Sequence, residues 1–316
     1  MKRSPKTSCD STNGTVSAVK KDWTINWKLY VMFLPILIYY IVFSYVPMYG
    51  VIIAFKDFSP MKGIMGSAWV GLKHFIDFFS SADFGRILFN TIHISLSSII
   101  FGFPMPIILA LMLNEVHSSL AKRTVQTITY MPHFISLVVA CGIIKIFVAD
   151  NGIITVLLSA LGITERVNLL GVKEYFVPIY VISGIWQQIG WDSIIYLAAL
   201  TGIHYELYEA AQIDGAGRWR QLFSITLPEI MPTIVIMLIL RIGSVMSVGF
   251  EKIILLYNPL TYESADVISS YVYRRGLMEF NFSFSTAVGL FNSIINYALL
   301  IGANRISKAV NGAGIW

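Results

Sequence analysis

Six apolar stretches, each near or above the roughly 20 residues that a helix needs to cross a bilayer, divide this chain of 316 residues. They run from about Leu29 to Phe55, Ile87 to Leu113, Val125 to Val148, Phe176 to Thr201, Ile230 to Phe250 and Phe284 to Ala303. In lipid an unpaired backbone N–H or C=O has no partner, so segments of this kind can only be helices. Composition agrees: 56% of the residues are hydrophobic and 13% charged, against about 25% charged in an ordinary soluble domain. The expectation is an all-α polytopic membrane protein with six transmembrane helices. Pro35, Pro47, Pro104, Pro106 and Pro132 fall inside or at the ends of the runs and predict kinks.

The first run is longer than the apolar core of a signal peptide and has no small-residue cleavage site, so it reads as an uncleaved anchor. Basic residues orient the chain. With the N-terminus inside, the inner segments (1 to 28, 114 to 124, 204 to 229 and 304 to 316) carry twelve Lys and Arg, and the longer outer loops carry ten. This mild bias places both termini in the cytoplasm. The expected organisation is a cytoplasmic tail over residues 1–28, a permeating domain over 29–303, and a cytoplasmic tail over 304–316. Residues 7 to 17, rich in Ser and Thr, read as disordered. The two outer stretches Trp69 to Phe79 and Gly152 to Gly162 read as helices in the headgroup zone or packed on the bundle. Cys9 and Cys141 are the only cysteines, which excludes a disulfide framework. A net charge of +5 without an aromatic-interleaved basic stretch does not suit nucleic acid.

Between the fourth and fifth runs lies a polar insert, the loop 204–229. Good helix formers from Tyr205 to Ile213 are followed by Gly215 and Gly217, a second helical stretch, and then Pro228 and Pro232. Its ordered elements are Glu209-Ala210-Ala211, Asp214-Gly215-Ala216 and Ile225-x-Leu227-Pro228. This pattern resembles the "EAA loop" of the permease subunits of binding-protein-dependent ABC importers. Asn90-Thr91, Ala110 to Glu115, Gln126 to Pro132 and Trp186 to Leu200 are similar to the carbohydrate-uptake class related to the maltose permeases. Tyr130 to Ser136 and Tyr196 to Leu200 resemble its oligosaccharide and polysaccharide branch.

The resemblance implies half of a sugar path in a bacterial cytoplasmic membrane, working by alternating access. It implies a short coupling helix seated in an ATPase subunit, with Glu209, Ala210, Ala211, Asp214, Gly215, Ala216, Leu227 and Pro228 carrying the coupling. The implied partners are a second, homologous permease, two ATPase subunits and an extracytoplasmic solute-binding protein. No Gly-x-x-x-x-Gly-Lys-Ser/Thr occurs, so ATP and magnesium are expected in the partner subunits, with no cofactor and no metal in this chain. Capping within the loop is an alternative role for Glu209 and Asp214.

Ionisable groups inside a span are costly and point to function. Asp192 lies nine residues before Thr201 and Arg241 eleven after Ile230, so at about 1.5 Å per residue both sit at similar depth. An ion pair between them is one expectation, and separate snorkelling or exposure to a water-filled cavity the other. Gln187, Gln188, Trp191, Asp192 and Ser193 offer the aromatic, amide and hydroxyl groups that sugar binding asks for, with polar glue between helices as the alternative; residues 187 and 191 share a helix face. Asn292 and Asn296, four apart in the sixth run, read as polar glue between helices. His93 and His133 lack a second histidine at ligand spacing. Glu263, Asp266, Arg274 and Arg275 belong either to a solvated outer loop or to a docking face.

Other function classes fit less well. A secondary transporter needs coupling groups near the midplane and commonly an internal repeat; only Asp192 and Arg241 qualify, and no repeat is visible. A membrane enzyme needs a catalytic constellation within the spans, which is missing. An importer permease for another solute class remains the nearest alternative.

Overall fold

Prolines dictate much of the local geometry. A proline cannot donate its backbone nitrogen, and its ring clashes with the carbonyl four residues earlier. In the computed structural model, which describes residues 11–312, 314 and 315, three long helices answer this with a widened π turn placed over that carbonyl. The turns Ile41–Tyr45, Ser98–Gly102 and Leu222–Thr226 precede Pro47, Pro104 and Pro228 and contain Phe43, Ile100 and Ser224. The helices bend there without stopping.

Helix α1 (Ser11–Tyr40) continues through the π turn into a 3-10 stretch ending at Phe55. Ser11 to Ser17 are therefore helical; residues 7–10, with Cys9, lie outside the described residues. From Ile25 to Met48 no residue is buried, and the segment joins the bundle only at Ala54. A two-stranded antiparallel ribbon follows, β1 (Lys56–Asp57) with β2 (Ala68–Trp69), in register Lys56 to Trp69. Next come α2 (Lys73–Phe79), α3 (Phe84–Ser97), α4 (Pro104–Glu115), α5 (Ser119–Tyr130) and α6 (Leu137–Phe147). The chain then forms α7 (Ile153–Ala160), α8 (Lys173–Thr201), α9 (Tyr205–Ile213), α10 (Arg218–Gln221), α11 (Leu227–Ile242), α12 (Phe250–Leu256), α13 (Ile268–Tyr273) and α14 (Phe282–Asn311).

Among the described residues four helical segments are long and apolar enough to cross a membrane: Ile25–Phe55, Phe84–Glu115, Arg218–Ile242 and Phe282–Ala309. The third expected span is not one helix. Ser119–Phe134 and Leu137–Phe147 meet at 102°, because Pro132 ends one segment and Ile135 is extended. Ser136 then caps α6 by accepting from the Val139 amide. The fifth run also ends early, at Ile242 rather than Phe250. Residues 304–311 continue α14 rather than forming a separate tail. Helix α8 has 29 residues, roughly 43 Å at about 1.5 Å rise, but Gln187, Gln188 and Asp192 keep it less apolar than the other four.

Three buried clusters hold the bundle. Cys141, Ile144, Phe176, Val181, Ile253 and Leu256 pack α6, α8 and α12 together. Phe78 sits among Phe84, Phe284, Phe291 and Tyr271, tying α2 to α14. Ala110, Tyr196, Leu200 and Ile230 close the opposite end. Helices α5 and α8 approach so closely that a Cβ on Gly190 would overlap the Thr129 carbonyl.

Candidate functional site

The loop after α8 is built around Gly215. Helix α9 ends with Asp214 as its C-cap, and Gly215 takes φ +74°, a conformation costly to residues with a Cβ. The Ala216 amide donates to the Ala211 carbonyl at 2.8 Å and the Gly215 amide to Gln212 at 3.0 Å. These are the paired bonds of a Schellman motif, and they satisfy the carbonyls at the helix end. Gln221 ties α10 back by donating to the Ala216 carbonyl at 2.8 Å, and the Tyr208 and Thr226 hydroxyls meet at 2.9 Å. The turn is thus fixed from within. Ile213, Trp219 and Phe223 remain 88%, 75% and 62% exposed. Glu209 and Asp214 make no side-chain hydrogen bond or ion pair among the described residues. Ala210 is exposed, Ala211 and Ala216 are half-buried, and Leu227 and Pro228 open α11.

A cavity of about 1010 Å³ lies between α3, α8, α11, α12, α13 and α14. Gln187, Gln188 and Asp192 of α8 line it, with Arg241 of α11 opposite. Arg241 donates to Asp192 at 2.6 Å, so the two charges face each other on the wall. Trp191 and Ser193 do not line the cavity. Trp191 stacks on His133 at 4.2 Å between ring centroids, and Ser193, fully buried, donates to the Gly190 carbonyl at 2.6 Å. Successive helical residues point about 100° apart, so one face of α8 cannot serve all five positions. His133 also meets the Gln188 amide oxygen at 2.9 Å, which braces that side chain against the turn Met131–Phe134 after α5.

Asn296 ties α14 to the loop after α11 and not to another helix, accepting from the Met246 amide at 2.9 Å and donating to the Ser247 hydroxyl at 2.8 Å. Asn292 differs. It lines the cavity, and its buried amide oxygen has no hydrogen-bond partner among the described residues.

The model of the binding-protein-dependent transport system inner membrane component matches residues 102–311. The chain belongs to this family. Protein LplB of Bacillus subtilis is 44% identical, over 95% of this chain and 93% of that protein. The polygalacturonan/rhamnogalacturonan transport system permease YteP of the same organism is 46% identical, over 91% and 90%. A solved bacterial ABC transporter for import of the acidic polysaccharide alginate contains a chain that superposes with a TM-score of 0.85 at 45% identity, covering 93% of this chain and 99% of that one. A further structure of a bacterial alginate transporter holds a periplasmic protein bound to an alginate pentasaccharide.

Two features of this permease escape sequence reading. The first is a knot outside the cavity: Asp266, fully buried, accepts from Arg274 at 2.6 and 3.2 Å and from Ser270 at 2.8 Å. Asn90 donates to the Asp266 and Glu263 carbonyls at 3.0 and 2.9 Å, and Thr91 accepts from the Ile268 amide at 3.0 Å. Asp266 and Arg274 therefore face inward and pin the loop to α3; Glu263 pairs with Lys173 and Arg275 with Glu279 on the surface. The second is Lys252 on the cavity wall. The signal for it was available: a lone lysine between Phe250 and the apolar run Ile253 to Leu256.

Proposed function

We propose that this permease forms half of the translocation path of an ATP-driven importer of oligosaccharides. The observation that carries the proposal is the loop from Tyr205 to Thr226: a rigid turn that presents exposed Ile213, Trp219 and Phe223, with unpaired Glu209 and Asp214, to a partner. Apolar side chains on a short polar connection with no cover of their own are what a protein interface requires. The partner is an ATPase subunit. Closure of two such subunits on ATP and magnesium moves α9, and the Gly215 turn passes the movement into α8 and α11. The cavity then opens alternately to each side of the membrane.

In this reading six segments cross the membrane, α8 and the bent α5–α6 pair among them. Both termini and the loop 204–229 face the cytoplasm of a bacterial cell. A second, homologous permease completes the path, and an extracytoplasmic binding protein delivers the cargo. The cavity supports a sugar. Gln187, the unsatisfied oxygen of Asn292 and the Asp192–Arg241 pair offer donors and acceptors to hydroxyl groups, and two relatives at 45–46% identity are named for polygalacturonan/rhamnogalacturonan transport and for import of alginate.

The test is ATP-dependent uptake by the complete complex in proteoliposomes, with Ile213→Asp and Trp219→Ala variants. Both should fold, release the ATPase subunits during purification and lose sugar-stimulated hydrolysis. Uptake at the wild-type rate in the double variant, or uptake persisting without any ATPase subunit, would contradict the proposal.

A further inference from the structure

Every other cation of the cavity wall or the buried knot has a carboxylate. Arg241 is held by Asp192, Arg274 by Asp266, and Arg86 by Asp83 with Asp266 beyond it. Lys252 has none within 4.0 Å among the described residues, although it is only 7% exposed. Its ammonium donates to the Tyr180 carbonyl at 2.9 Å and lies over the Tyr180 ring at 4.8 Å from the centroid. It also packs on α8 at Gly184, where a Cβ would stand 3.4 Å from Nζ, at ordinary contact distance. An ammonium carries three donors, so two N–H groups are left without an acceptor from the described residues, on a side chain that lines the cavity.

Burying a charge without a counter-charge is costly. Burial pushes the Lys252 ammonium down to about 8, and α12 lies outside the apolar membrane-crossing segments. The neighbouring Glu251 also borders the cavity but is exposed, and successive helical positions diverge by about 100°. It leaves the buried charge uncompensated. Such an arrangement is stable as a receptor for an anion that arrives from outside the chain.

We propose that Lys252 reads the carboxylate of an acidic oligosaccharide as it passes through the cavity, forming a charge-assisted hydrogen bond with a uronate unit. This rests on the reading of the cavity as a sugar path. Lys252 is a specificity-determining residue: a neutral sugar of the same length leaves the ammonium unpaired, and an acidic one supplies the missing carboxylate.

The experiment compares two probes, an oligogalacturonate pentasaccharide and its fully methyl-esterified, uncharged form. Uptake is measured with the complete transporter in proteoliposomes and the same binding protein throughout, so that discrimination by that protein cancels between variants. Lys252→Gln should lower uptake of the acid by about tenfold or more, the worth of one hydrogen bond to a charged group, and leave the ester within about twofold. Lys252→Arg should keep the preference. Equal losses for acid and ester in Lys252→Gln would assign Lys252 a purely structural role and overturn the inference. Should that variant not assemble, wild-type protein decides. The titratable groups facing Lys252 are Tyr180 and Cys141, and the acid-to-ester ratio should fall between about pH 7 and about pH 9.5 as the ammonium is lost. A constant ratio overturns the inference alone. Failure to take up either probe overturns the sugar-path reading with it.

Discussion

Replacing Gly215 isolates the mechanical role of the loop from its stability. The residue sits at φ +74° with no heavy atom within 4 Å of where a Cβ would stand, so alanine meets no clash in this chain. Its penalty is purely conformational, about 1–2 kcal/mol for a Cβ in the left-handed region. The loop is exposed and lies outside the three buried clusters, so this energy is withdrawn from the local turn and not from the bundle. The fraction of loops holding the Schellman geometry, and with it the affinity for the ATPase subunit, should fall by about 5–30-fold. The assay titrates purified ATPase subunits onto the membrane complex and reads sugar-stimulated hydrolysis alongside thermal unfolding in detergent. Gly215→Ala should shift the titration by that factor with an unchanged melting temperature. Gly215→Asn should shift it less, because asparagine visits the left-handed region more readily. Gly215→Asp, with a like-charged neighbour at Asp214, should impair hydrolysis at least as much as alanine. Wild-type titration by the alanine variant, or equal shifts for alanine and asparagine, would refute a rigid turn as the transmitting element.

Four further outcomes follow from the packing. Asp266→Ala strands the Arg274 guanidinium in the knot and should cost about 3–5 kcal/mol, read as a lowered melting temperature in detergent; an unchanged value would mean the loop is not pinned there. Asp192 and Arg241 are 26% and 53% exposed, so a double-mutant cycle with Asp192→Asn and Arg241→Gln should return a coupling of only about 0.2–1 kcal/mol; zero coupling, or a charge swap that rescues nothing, would remove support for the pair. Gly190→Leu should drive α5 from α8 and prevent assembly, since the overlap is with the Thr129 backbone; normal assembly would place the two helices farther apart. The unfolded chain holds a proton on Lys252 between about pH 8 and pH 10.5 that the folded chain has released. Stability should therefore rise with pH across that window, and Lys252→Met should flatten the rise.

What sequence reading captured and what it missed share one physical cause. Hydropathy finds segments that water rejects, and the cores of the α1, α3–α4, α11 and α14 segments lie where the apolar runs are. Depth along a helix is also a one-dimensional quantity, so counting residues set Asp192 and Arg241 level with each other. The local chemistry of Gly215 is equally linear, because the Schellman bonds join residues at most five apart. Direction around a helix is different. Trp191 and Gln187 share a face by spacing, yet the approach of α5 at Gly190 places His133 over Trp191 and leaves the cavity to Gln187 and Gln188. The break after Tyr130 escapes hydropathy because Met131 to Val139 remain apolar while Pro132 and Ser136 redirect the backbone.

Lys252 shows the same limit most sharply. As a basic residue just past an apolar run it counts as an outer-loop charge. What changes its meaning is the early end of α11 at Ile242, which lets the chain turn and fold α12 back against α6 and α8. Ile253 and Leu256 bury on that contact, and helical geometry then obliges their neighbour at 252 to enter the wall of the cavity. The lysine's position therefore follows from the two apolar anchors beside it. Removing their packing, with Ile253→Ala, should expose the ammonium to water and weaken acid discrimination without touching the charge.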